Sequence, residues 1–128
     1  MEKSVVVDWL KTYMRAWESY SPEAIGDLFT DDATYSFHPY DEPVVGRQAI
    51  VESWLKDPDP AGTFTANYGP IAIDGNVAVV HGRSTYFKDS SRTELTKEWD
   101  NIFVVEFDKD GRCRSFREWY VARRGQTD

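Results

Sequence analysis

The 128-residue sequence holds one cysteine, Cys113, so no internal disulfide closes and no cysteine-based metal framework forms. Histidine is almost as scarce. His38 and His81 are the only two, and neither His-x-x-x-His nor HExxH spacing occurs, which argues against a bound metal. Asp108-Lys109-Asp110-Gly111 opens like a calcium loop but lacks its closing glutamate, and is better taken as a hairpin turn. A phosphate-cradling glycine loop and a nucleophile elbow are both missing, so nucleotide-dependent and serine-hydrolase chemistry find no support. No apolar stretch approaches the ~20 residues that cross a bilayer, and MEKSVVVDWLKTYM at the start spreads its charges as a secretory signal does not. Positive charge is in deficit: 15 Lys and Arg against 22 Asp and Glu give a formal net charge of −7, which disfavours nucleic acid as a partner. The expectation is a cytoplasmic protein with no metal and no organic cofactor.

What the chain does have is apolar and aromatic material, 41% and 15% of residues, enough to fill a core and line a cavity. Its length fits a single domain spanning 1–128. Val6, Leu10, Tyr13, Met14, Trp17 and Tyr20 make a helical stripe. Ser21-Pro22-Glu23 caps a second helix expected through Ala24, Ile25, Leu28 and Phe29. TDDATYSFHPYDEP turns and then extends. Gly46 opens a third helix, carried by Ala49, Ile50, Ser53 and Trp54, that ends at Asp57-Pro58-Asp59-Pro60. Residues 63–73, 77–88, 94–107 and 112–122 are β-branched and aromatic runs separated by turn sequences such as Asp74-Gly75-Asn76. The class predicted is α+β, with helices on one face of a curved antiparallel meander.

The order helix, helix, strand, helix and four long strands resembles the nuclear transport factor 2-like superfamily, and its SnoaL-like branch in particular. LFTDDATY (28–35), the following His38-Pro39, GRQAI (46–50), WDNIFVVEFDKDGRC (99–113) and FREWY (116–120) carry the likeness over nearly the whole chain. It implies a cone-shaped roll of about three N-terminal helices on a curved, mainly antiparallel sheet enclosing a pocket. It does not fix an activity, because the superfamily holds isomerases, hydrolases, dehydratases, cyclases and non-catalytic binders.

Strand alternation supplies candidates for the pocket wall. In SFREWYVARR, Phe116, Glu118 and Tyr120 share a face, so a carboxylate stands between two rings. On 94–107, Trp99, Asn101, Phe103, Val105 and Phe107 form a nearly apolar face that should point inward. On 77–88, His81, Arg83 and Thr85 are expected to join that wall, with Ser84 and Tyr86 on the opposite side. Glu118 is the residue singled out: desolvation raises a carboxyl pKa and a nearby guanidinium lowers it, and the balance selects base, acid or anchor. The competing expectation makes Glu118 and Arg83 a structural ion pair between strands.

Three resemblances refine the roles. The Arg-Glu-Trp-Tyr run is similar to the last-strand motif of limonene epoxide hydrolase-like proteins, with Arg83 at the arginine's place and Thr85 where the aspartate would be. His81 and Asn101 resemble a pocket histidine and asparagine of scytalone dehydratase. Tyr13 stands where ketosteroid isomerase has its oxyanion-hole tyrosine, His38 where it has its general base, and Phe103 in place of its second oxyanion acid.

The function expected is a cofactor-independent acid/base enzyme of isomerase, dehydratase or cyclase type, acting on a small hydrophobic, oxygenated molecule. Glu118, His81 and Tyr13 are its candidate catalytic groups; Arg83, Asn101, Trp99, Phe103, Tyr120, Phe116, Thr85 and His38 are its candidate substrate contacts. The alternative is a non-catalytic binding or dimerisation domain. A homodimer is expected through the outer sheet face, to which Ile102, Val104, Tyr86 and Trp119 are assigned.

Overall fold

The computed structural model describes residues 1–127. The expected stripe forms helix α1 (Lys3–Ser19), which buries Val6, Leu10, Tyr13 and Trp17 together with Trp9 and Ala16. Tyr20 ends it in a left-handed conformation (φ 49°), its N–H bonded to the Ala16 carbonyl. Helix α2 (Pro22–Gly26) begins as its sequence requires, with the Ser21 hydroxyl accepting from the Ala24 N–H. It is shorter than expected, however: Leu28 has left the helix and Phe29 opens strand β1 (Phe29–Ser36). Long-range partners override local propensity here. The Leu28 carbonyl accepts from both the Cys113 N–H and the Trp9 indole, while the Phe29 ring packs edge-on against Trp9 and Tyr35.

A two-residue strand β2 (Val44–Val45), not foreseen, pairs back on β1 before helix α3 (Arg47–Leu55). Gly46 makes the entry at φ 95°, a conformation glycine adopts without steric cost. Arg47 then ties α3 to β1, donating twice to the Phe29 carbonyl and pairing with Asp31 at 2.9 Å. Strands β3 (Phe64–Asp74), β4 (Val77–Phe87), β5 (Leu95–Phe107) and β6 (Cys113–Ala122) lie within a residue of their expected bounds. The sheet order is β2-β1-β6-β5-β4-β3; every pairing is antiparallel except β1 with β6. The helices pack on one face of this curved mixed sheet, giving the expected α+β roll.

Register decides which side chains meet the helices. Strand β5 turns Asn101, Phe103, Val105 and Phe107 inward, all at most 3% exposed. Their opposite partners on β4 include Gly82 for Asn101, Val80 for Phe103 and Ala78 for Val105. Directly opposed residues share a face, so β4 buries Ala78, Val80, Gly82 and Ser84 and turns His81, Arg83 and Thr85 outward. This reverses the expected orientation of β4. Both faces of 77–88 carry similar apolar content, so alternation alone could not choose between them. Tyr86, assigned to the outer face, accordingly points inward and lines the cavity.

Gly82 shows how tightly the inner face is fitted. A Cβ there would collide with the Asn67 carbonyl and the Tyr68 ring on neighbouring β3. Gly82→Ala is expected to destabilise the protein by about 1–3 kcal/mol, since backbone and a buried ring must both shift. Chemical denaturation checks this; an unchanged midpoint would mean that β3 yields at no cost.

Candidate functional site

The roll encloses a cavity of about 470 Å³, within the size range of small-molecule sites. From α1 come Tyr13 and Trp17, with Tyr20 from its C-cap; α3 adds Ser53 and Trp54. Strand β1 contributes Tyr35, with Phe37 just past its end, and β3 Tyr68. Ser84 and Tyr86 come from β4, Trp99 and Asn101 from β5, and Glu118 and Tyr120 from β6. Asp57 and Asp59, from the Asp-Pro-Asp-Pro segment after α3, complete the wall.

Three polar side chains cross the sheet as a chain. The Ser84 hydroxyl donates to Asn101 Oδ1 at 3.0 Å, and Asn101 Nδ2 donates to Glu118 Oε2 at 3.0 Å. Asn101 is 3% exposed and uses both ends of its amide, which holds the carboxyl in one orientation. Burial pushes the Glu118 pKa from 4.5 up to about 7, against the Asn101 hydrogen bond, which favours the ionised form. Desolvation prevails because a single neutral amide donor offsets only part of the lost hydration. No guanidinium intervenes: Arg83 lies on the outer face, bonded to Asp100 Oδ2 at 3.1 Å. The expected Glu118–Arg83 ion pair is therefore absent.

Around the carboxyl stand phenols. The Tyr13 and Tyr35 hydroxyls are 3.5 Å apart, both rings are buried, and burial first, then the charge of neighbours including Glu118, drives both pKa values well above 10. Tyr68 and Tyr86 are raised by the same causes. These phenols remain protonated donors across the accessible pH range, suited to hold a carbonyl or hydroxyl oxygen.

The structure sorts the sequence candidates into groups. Glu118, Asn101, Tyr13, Trp99 and Tyr120 come together on the cavity wall. Phe103 and Phe116 lie deeper, at most 1% exposed, as core rings packed on Tyr13 behind the residues that line the cavity. His38 stands at the rim, its ring 5.9 Å from that of Tyr120 and its Nδ1 accepting from the Tyr40 N–H. His81, Arg83 and Thr85 are outside. His81 Nε2 lies 2.9 Å from Asp100 Oδ1, and the Thr85 hydroxyl donates to Glu98. Among the described residues, no three His, Cys, Asp or Glu side chains gather to hold a metal ion.

Sequence reasoning missed Ser84, Tyr86, Tyr35, Tyr68 and Asp59. A signal existed for the first two: once Asn101 and Phe103 are set inward, pairing across the hairpin assigns Ser84 and Tyr86 to the same side. Asp59 carried no signal, because a proline-flanked loop acid is ordinarily solvated.

The comparisons agree with this fold. A nuclear transport factor 2-like protein of unknown function from Burkholderia xenovorans LB400 superposes with a TM-score of 0.70 at 15% identity, over 99% of this chain and 91% of that one. SalBIII, an epoxide hydrolase/cyclase-like enzyme with a role in pyran ring formation in polyether salinomycin, superposes with a TM-score of 0.67 at 20% identity, over 93% and 89%. Such identities establish a shared fold and leave chemistry open. No curated protein matches the sequence. The model of the SnoaL-like domain matches residues 10–116, most of the chain. The chain therefore belongs to the SnoaL-like domain family.

Proposed function

We propose that the protein is a cofactor-independent acid/base enzyme of isomerase, dehydratase or cyclase type, with Glu118 as the group that moves the proton. The observation that carries the reading is a carboxyl with a pKa near 7, fixed by Asn101 inside an aromatic cavity. A group that titrates near neutrality takes and returns protons efficiently there. Tyr13 and Tyr35 supply neutral donors for oxygen charge that develops as a C–H bond ionises. The fold shared with an epoxide hydrolase/cyclase-like enzyme is compatible with cyclisation as one outcome of such chemistry.

The test needs no known substrate. Hydrophobic ketones in deuterated buffer should exchange their α-protons in the presence of the protein, followed by NMR, at a rate that rises with pH through about 7. Ketones that bind saturably without exchanging would replace this reading with the non-catalytic binding one.

A homodimer through the outer sheet face belongs to the same proposal. That face presents Ile102, Val104 and the 38%-exposed Trp119 beside the His81–Asp100–Arg83 cluster, an apolar patch with a polar border. Sedimentation at micromolar concentration is expected to give a dimer and Trp119→Glu a monomer; a monomeric wild type would refute the pairing.

A further inference from the structure

Among the described residues, the cavity wall combines six tyrosines, three tryptophans and one phenylalanine with three carboxylates, Asp57, Asp59 and Glu118, and no lysine, arginine or histidine lines it, His38 standing only at the rim. The absence of a cationic group matters chemically. An anionic ligand would find no counter-charge here and would meet carboxylates at close quarters, within a protein already carrying a net charge of −7. A cation would find the reverse: ring faces that attract it through their quadrupoles, and acids to neutralise it.

Asp59 is built as a fixed receptor rather than a solvated loop acid. Its Oδ2 accepts from the Trp17 indole at 3.0 Å and from the Tyr20 hydroxyl at 3.2 Å, and its own N–H donates to Tyr20 Oη at 2.9 Å. Oδ1 accepts no hydrogen bond among the described residues. The carboxylate is thus held by two cavity-lining rings with one oxygen left over for a donor. The Tyr86 ring feels the charges of both Asp59 and Glu118, so the two acids face a common space with aromatic walls.

We propose that the ligand of this cavity carries a basic nitrogen, bound as an organic ammonium ion against Asp59 and the surrounding rings. The inference rests on reading the cavity as a small-molecule site, and narrows its substrate class to amine-bearing oxygenated molecules. The oxygenated end lies toward Glu118, Tyr13 and Tyr35, and the nitrogen toward Asp59, Trp17 and Tyr20. Carboxylic acids and phosphate esters are excluded.

Three benzyl-bearing probes separate charge from hydrophobicity: benzyltrimethylammonium, its uncharged isostere neopentylbenzene, and the smaller anion phenylacetate. Titrations followed by tryptophan fluorescence should show the ammonium binding about tenfold more tightly than the isostere, with phenylacetate weakest. Asp59→Asn should collapse that ratio to about threefold or less, by removing the charge while leaving an oxygen for Trp17 and Tyr20. In the wild type, ammonium affinity should rise from pH 5 to pH 8 as Glu118 ionises, with isostere affinity flat; this readout keeps the test valid if the variant misfolds.

Equal or tighter binding of neopentylbenzene, or preference for phenylacetate, would overturn the proposal. Its failure is distinguishable from failure of the catalytic reading. Ketone proton exchange that depends on Glu118 without ammonium preference would sink only the ligand class. Ammonium preference without exchange would sink only the enzyme.

Discussion

Glu118→Gln is expected to abolish proton exchange and, in the same molecule, to make the protein more stable above neutral pH. The activity loss should be about 10²–10⁴-fold, the usual contribution of a positioned acid or base. The stability gain follows from linkage. Folded Glu118 has its pKa raised from 4.5 to about 7, so between those values the folded state keeps a proton that the unfolded chain has released. The contribution of Glu118 to stability is therefore fully kept below about pH 4.5, is lost as pH rises through that window, and becomes a full penalty above about 7. At ~1.4 kcal/mol per pH unit the gap is on the order of 3 kcal/mol. Glutamine keeps an oxygen to accept from Asn101 Nδ2 but never carries charge, so it escapes the penalty. Melting temperatures of wild type and variant should nearly coincide at pH 5 and diverge at pH 8, the variant higher. A variant less stable at both pH values would show Glu118 to be a structural group. Stabilisation with undiminished exchange would remove it from the chemistry.

Phe116→Ala is expected to destabilise the protein by about 3–5 kcal/mol, a large part of a small domain's total stability. Phe116 is fully buried, stacked on Tyr35 at 4.4 Å and Tyr13 at 5.9 Å between ring centroids, and tilted against Phe103 at 4.8 Å. Removing it opens a cavity behind the two phenols that flank Glu118. Those phenols lose their support, so ligand affinity should fall along with stability. Urea denaturation should show a lower midpoint with unchanged slope. A loss under about 1 kcal/mol would mean that the rings collapse into the space, contrary to rigid packing. The alternation that places Phe116 in the core also aims Glu118, two residues on, from the same face of β6 into the cavity.

That coupling explains how much of the site was legible in advance. Glu118, Asn101, Tyr13, Trp99 and Tyr120 were placed on the cavity wall because each lies on an element with one unmistakably apolar face, which leaves no choice of orientation. His81, Arg83 and Thr85 were misplaced because β4 has no such face: Val77 and Val79 compete with Ala78 and Val80. A one-residue difference in phase moves every side chain across the sheet. Only the pairing of Gly82 with Asn101 settled it, and it took Arg83 away from Glu118. The carboxyl was left without that cation to oppose its burial, and desolvation raises its pKa.

The sequence by itself determined the order of the three helices and four long strands, the bounds of those four strands to within a residue, the α+β class and the presence of an acid on the inner face of the last strand. These follow from local periodicity, turn chemistry and capping, which act over a few residues and are written directly in the chain. Tertiary structure alone decided that α2 stops before Leu28, that β4 presents Ser84 and Tyr86 instead of His81 and Arg83, and that Asp59 folds back onto Trp17 and Tyr20. Each depends on a partner tens of residues away: the Leu28 carbonyl on Cys113, Ser84 on Asn101, Asp59 on α1. Long-range pairing selects among local conformations that differ little in energy, and the electrostatics of the cavity follow from that selection.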